Sequence, residues 1–199
     1  MNLLKKGMLF LFAATLFVAC SDDDDDVVTP VTPEEPANNH PLAGTTWTYA
    51  AQEGALIVGP DATGVWWQNS GDDVSARACL FDDTMTFNAD NTYTQDLGSE
   101  TWLEPSPHGV DAEGCGAVVA PWDGSNAATW TADTSTVTVV GDGAFIGLAK
   151  VHGTGEDGNP VDDTITYNYT LDGDNLQVSI TGFHPEPAAQ WTFNFTKVN

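Results

Sequence analysis

Basic side chains are almost missing from this chain. Its 199 residues hold 29 Asp and Glu against five Lys and Arg, a formal net charge of −24. Past residue 20 only Arg77, Lys150 and Lys197 are basic. A surface that poor in cations cannot neutralise a phosphate backbone, which excludes nucleic acid as a partner. The same balance argues against an anionic polysaccharide or an anionic lipid surface as the main ligand. Neutral glycans, cations and basic proteins are left. Sustained helical periodicity is lacking too, so any helix in the folded part is expected to be short. Catalytic signatures are absent: there is no H-E-x-x-H and no G-x-S-x-G. His40, His108, His152 and His184 are scattered, and Glu53, Glu100, Glu104 and Glu113 fall in loops in no recognisable pairing. A glycosidase needs two carboxylates flanking the scissile bond. The expectation is a protein that binds and is not an enzyme.

Cysteine is sparse, three in all, and each position suggests a role. Lys5 and Lys6 precede an apolar run over 8–19, then Cys20, Ser21 and five aspartates at 22–26. A charged start and about a dozen apolar residues make a secretory signal, too short for a membrane span. Leu16-Phe17-Val18-Ala19 before Cys20 resembles the lipobox of bacterial lipoproteins, in which that cysteine is acylated. The Ser-Asp run resembles the acidic export signal of surface-exposed Bacteroidota lipoproteins. These resemblances imply a signal peptide over 1–19, lipidation at Cys20, and a lipid anchor in the outer membrane with the protein facing the cell exterior. The plainer alternative is a secreted protein with an acidic linker. Residues 20–41, with Pro30, Pro33, Pro36 and Pro41, read as an acidic, Pro-rich spacer. Cys79 and Cys115 are then an even pair in an oxidising compartment. A disulfide between them would close a loop of roughly 35 residues and contribute about 3–4 kcal/mol; two unpaired thiols are the alternative.

Residues 42–199 read as one all-β domain. Trp47 and Tyr49 share one face of an alternating segment; Thr84–Phe87 and 92–94 flank a turn at 88–91. Further strands are expected at 129–131, 136–140 and 145–151. Ile165, Tyr167, Tyr169 and Leu171 face inward before a turn at 172–175, then Leu176, Val178 and Ile180. The last strand turns Trp191, Phe193 and Phe195 inward. One apolar face and one Thr-rich face per strand predict an antiparallel β-sandwich of jelly-roll type, with a lipocalin-like β-barrel as the alternative. Two turn-rich segments, 53–80 and 96–128, are longer than hairpin loops and are where function is expected.

Seven tryptophans are many for a domain of this size. Trp47, Trp130 and Trp191 alternate within strands and are assigned to the core. Trp66, Trp67, Trp102 and Trp122 lie in the long segments, where a flat indole suits stacking on a sugar ring. Asp61, Gln68 and Asn69 are the expected hydrogen-bonding partners for its hydroxyls; the alternative is that these indoles close the end of the core. Asp157, Asn159 and Asp162 offer oxygens in a turn and are the candidate Ca²⁺ ligands, without matching an EF-hand loop.

Gly54-Ala55-Leu56-Ile57-Val58-Gly59-Pro60, Trp66-Trp67 and Cys79-Leu80-Phe81-Asp82-Asp83-Thr84-Met85-Thr86-Phe87 together resemble a PKD-associated module of surface lipoproteins in Bacteroidota glycan-utilisation systems. The likeness spans about 47–102, with Ala55 where that pattern has His and no PKD domain beside it. It implies capture of glycan at the cell surface, next to an uptake complex. The expected function is therefore non-catalytic binding of neutral polysaccharide. The alternatives are a lipocalin-like carrier of an apolar ligand and a structural subunit of a surface complex.

Overall fold

Threonine alternates with large apolar residues along most of the chain, and the two faces this creates are separated by the fold. The computed structural model describes residues 38–61, 63–152, 163–181 and 189–199. The signal peptide, Cys20, residues 20–37 of the spacer, and the Ca²⁺ candidates Asp157, Asn159 and Asp162 lie outside them.

In chain order the strands are β1 (Thr45–Tyr49), β2 (Leu56–Gly59), β3 (Trp67–Gln68), β4 (Thr84–Phe87), β5 (Thr92–Asp96), β6 (Glu100–Leu103), β7 (Gly114–Ala117), β8 (Ala128–Ala132), β9 (Thr136–Val140), β10 (Thr164–Asp172), β11 (Asn175–Thr181) and β12 (Gln190–Lys197). Two short helices, α1 (Gly71–Ala76) and α2 (Ala78–Phe81), sit between β3 and β4. β1, β4, β5, β8, β9, β10, β11 and β12 each pair antiparallel with the next. β12 then returns to β1 through Trp47↔Lys197, Thr48↔Thr196 and Tyr49↔Phe195.

The sheet is closed. This is an eight-stranded up-and-down barrel, so the jelly-roll sandwich expected from the strand pattern is corrected to the barrel alternative. Alternation is the same in both architectures; only the pairing of β12 with β1 removes the free edges that a sandwich would keep. β12 has room for a second partner along that edge. Its first half pairs with β2, from Gln190↔Gly59 to Phe193↔Leu56. β1 and β2 thus lie end to end beside one strand, with residues 50–55 leaving the wall between them.

Inside the barrel, Trp47, Phe87, Tyr93, Trp130, Tyr167 and Phe193 are buried. Outside, threonines face one another across strands: Thr46 and Thr86 hydroxyls lie 2.9 Å apart, Thr138 and Thr166 2.8 Å. Residues 38–41 also belong to the packed body. The His40 ring meets Trp130 edge-on at 5.8 Å, so the spacer expected to run to residue 41 has ended before it.

The strand expected over 145–151 does not form. Instead this segment packs into the barrel, burying Ala144, Ile146, Leu148 and Val151 in the main core. Its backbone groups find tyrosine hydroxyls where a strand would offer amides. The Tyr93 hydroxyl donates to the Phe145 carbonyl, and the Ile146 N–H donates to the Tyr167 oxygen, each at 2.7 Å. Gly147 has φ +84°, and a Cβ there would lie 2.4 Å from the Phe193 ring. An apolar run that reads as a strand is therefore a plug. A space of about 20 Å³ remains among Trp47, Tyr49, Met85, Tyr93 and Phe195, room for about one water molecule.

β6 and β7 form a separate ribbon. The expected disulfide is present: Cys79 in α2 joins Cys115 in β7, 36 residues apart, and ties the ribbon to the helices.

Candidate functional site

β2 runs into β3 through a turn that Asp61 closes. One of its carboxylate oxygens accepts from the Thr63 N–H, the Gly64 N–H and the Thr63 hydroxyl at 2.8, 2.9 and 2.7 Å. Those bonds, led by the Thr63 hydroxyl, hold the carboxyl below its ordinary range. Gly59 permits the close approach across this hairpin, since a Cβ there would meet the Gly64 carbonyl oxygen at 1.8 Å. The hairpin delivers Trp66 and Trp67 to the surface, 49% and 36% exposed.

Beyond β3, Asn69 is fully buried. Its side-chain oxygen accepts from the Leu56 N–H at 2.8 Å, and its amide donates to the Gln52 carbonyl at 2.9 Å. It pins residues 52–56 to the hairpin. Ser70 then caps α1 in a reciprocal capping box with Asp73. α1 and α2 meet at Arg77, whose φ of −110° and ψ of 32° break the helix. Arg77 stands two residues before Cys79, and Glu113 two residues before Cys115. The disulfide therefore brings these two side chains to one place: Arg77 Nη2 lies 3.6 Å from Glu113 Oε2.

A cleft of about 410 Å³ opens there, within the usual range for small-ligand sites. Trp66, Trp67 and Trp191 form its aromatic wall; Val58 from β2 and Leu148 from the plug add apolar surface. Arg77, Lys150 and Glu113 supply charge. Two of the three basic residues after residue 20 thus converge on one concavity.

Arg77 is held between rings, its guanidinium carbon 4.1 Å from the Trp102 centroid and 5.5 Å from that of Trp67. Lys150 Nζ is 3.2 Å from Glu104, 4.0 Å from Glu113 and 5.4 Å from the Trp191 centroid. Glu104 is buried and also accepts from the Trp102 indole N–H at 3.1 Å. Burial, with a hydrogen bond to Glu113 next, pushes its carboxyl up to about 7 against the opposing pull of Lys150. His108 accepts from the Glu104 backbone N–H at 3.0 Å, and burial pushes its imidazole down.

Glu104 and Glu113, read from sequence as unpaired, both reach Lys150.

Of the residues expected to contact sugar, Trp66 and Trp67 come together in the cleft. Gln68 sits beside them, its amide donating to Glu53 at 3.0 Å. Asp61 serves the hairpin turn. Trp102 stands behind Arg77. Trp122 and Asn69 are 5% and 0% exposed and do not reach the cleft; Trp122 packs against Phe145 and Ala149, so its loop position marks a small second core. Trp191, assigned to the core, is buried and also lines the cleft; its indole nitrogen is without a partner among the described residues. Sequence reasoning missed Arg77, Lys150 and Glu113 as site residues. The available signal was the rarity of basic side chains.

Among the described residues, no group of three or more His, Cys, Asp or Glu is placed to hold a metal ion, and no helix is long and apolar enough to cross a membrane. No protein-family model matches the chain, and no curated protein matches it in sequence.

Proposed function

We propose that this protein is a non-catalytic, lipid-anchored component of the outer membrane, facing the cell exterior, that captures polysaccharide in the Trp66–Trp67 cleft for a surface uptake complex. The observation that carries this reading is two adjacent indoles, both solvent-exposed, on one wall of a concave site. Indole faces stack on the apolar face of a sugar ring, and the neighbouring polar groups address its hydroxyls. Exposed tryptophans are costly in solubility, and a ligand accounts for them.

Affinity electrophoresis on a panel of glycans tests the proposal. A glycan that retards the protein should retard the Trp66→Ala/Trp67→Ala variant far less, a loss of about tenfold or more in affinity, roughly 1.4 kcal/mol. No retardation on any glycan, or retardation unchanged in the variant, refutes it.

The closed barrel supports the carrier alternative in outline only. An eight-stranded barrel either fills with side chains or encloses one small ligand, and here the plug fills it. An apolar fluorescent probe is expected to find no site inside the barrel.

A further inference from the structure

We propose that the cleft selects a uronic acid unit carried on an otherwise neutral polysaccharide, with its ring against Trp66 and its carboxylate between Arg77 and Lys150. This rests on the reading of the cleft as a glycan site.

Charge placement is the first ground. A chain with 29 acidic side chains puts two of its three basic ones after residue 20 into a single concavity beside exposed indoles. Neither cation is left to wander: rings of Trp102 and Trp67 fix the Arg77 guanidinium, and Glu104 fixes Lys150 from behind. A planar guanidinium already held in place loses little freedom when it binds a carboxylate.

Glu113 is the second ground. It stands just before β7, its side chain 45% exposed, and its two oxygens reach the two cations at 3.6 and 4.0 Å. Good charge-assisted bonds are about 2.7–2.9 Å. A carboxylate that bridges both cations at these long distances, from a side chain itself open to solvent, marks where a ligand's carboxylate would sit.

Range decides the rest. At physiological ionic strength charges are screened within about 8 Å. Contact cations therefore govern a single uronate inside the cleft, whereas a polyuronate would carry its further charges across an acidic surface. An isolated acidic unit satisfies both conditions, and overall charge, which points to a neutral ligand, describes only the flanking sugars.

Calorimetric titration of the full protein with matched oligosaccharide pairs, each a neutral backbone with and without one glucuronate, is the test. The glucuronate member should bind about tenfold tighter, and polygalacturonate of equal length more weakly than that member. Arg77→Gln should abolish the preference. Glu113→Gln should raise affinity for the glucuronate member several-fold, because the carboxylate that competes for Arg77 and Lys150 is gone. Equal affinity within every pair overturns the inference and keeps the glycan reading, as does weaker glucuronate binding in Glu113→Gln. Failure of every pair to bind overturns both.

Discussion

Asp83 and Glu104 are the only acidic side chains buried among the described residues. The Thr101 hydroxyl donates to one Asp83 oxygen at 2.6 Å, while the other oxygen is buried without a partner among the described residues, as is the Tyr49 hydroxyl. Burial pushes the Asp83 carboxyl up to about 8, only partly opposed by Thr101. Unfolded, Asp83 ionises near pH 4; folded, it keeps its proton to about 8. The native state therefore binds more protons across that window, and its stability is full below about pH 4 and falls as pH rises through 8. Asp83→Asn removes the titration and keeps the shape. In urea denaturation it should gain on the order of 2–4 kcal/mol over the parent at pH 8 compared with pH 4. A gap independent of pH would contradict the assignment. Asp82, its neighbour, is exposed. The sequence could not show which of the two the β6–β7 ribbon covers, because Thr101 lies 18 residues from Asp83.

At the scale of elements, the plug and the disulfide make the site. Residues 145–151 supply Leu148 and Lys150 to the cleft while filling the barrel, and Gly147 is where the plug passes closest to Phe193. Gly147→Ala should clash with that ring and strain a positive φ, lowering stability by about 2–3 kcal/mol, read as a drop in Tm. Replacing Cys79 and Cys115 by Ser should cost about 3–4 kcal/mol in the unfolding equilibrium. It should also weaken glycan binding, because Arg77 and Glu113 are then no longer tied together. Retained affinity in a folded double variant would show that the α1–α2 and β6–β7 segments hold the cleft unaided. The alternating strands β1, β4, β5 and β8 to β12 were all legible, since period-two patterning and turns such as 172–175 are local. The plug was not. Phe145, Ile146 and Leu148 satisfy the same pattern as a strand, and what distinguishes them is a pair of tyrosine hydroxyls from β5 and β10.

Over the whole molecule, unbalanced acid dominates. A net charge of −24 repels itself, and among the described residues every acidic side chain but Asp83 and Glu104 lies outside the buried core. Raising NaCl from 10 mM to 300 mM shortens the Debye length from about 30 Å to below 8 Å. Thermal melts should therefore move upward by several degrees. A Tm that falls with salt would mean that the few ion pairs around Arg77 and Lys150 outweigh the general repulsion. Composition and pattern by themselves determined an all-β domain, inward and outward faces, Cys79 and Cys115 as the pair available for a disulfide, and the two long segments that supply part of the candidate site. These depend on neighbours in the chain or on residue counts. Tertiary structure alone decided closure of the sheet, since β12 chooses β1 over a free edge by an encounter across about 150 residues. It alone moved Trp122 and Asn69 inward and gathered Arg77, Lys150 and Glu113 into one cleft. Burial and charge pairing are properties of what lies nearby in space, and separation along the chain does not encode them.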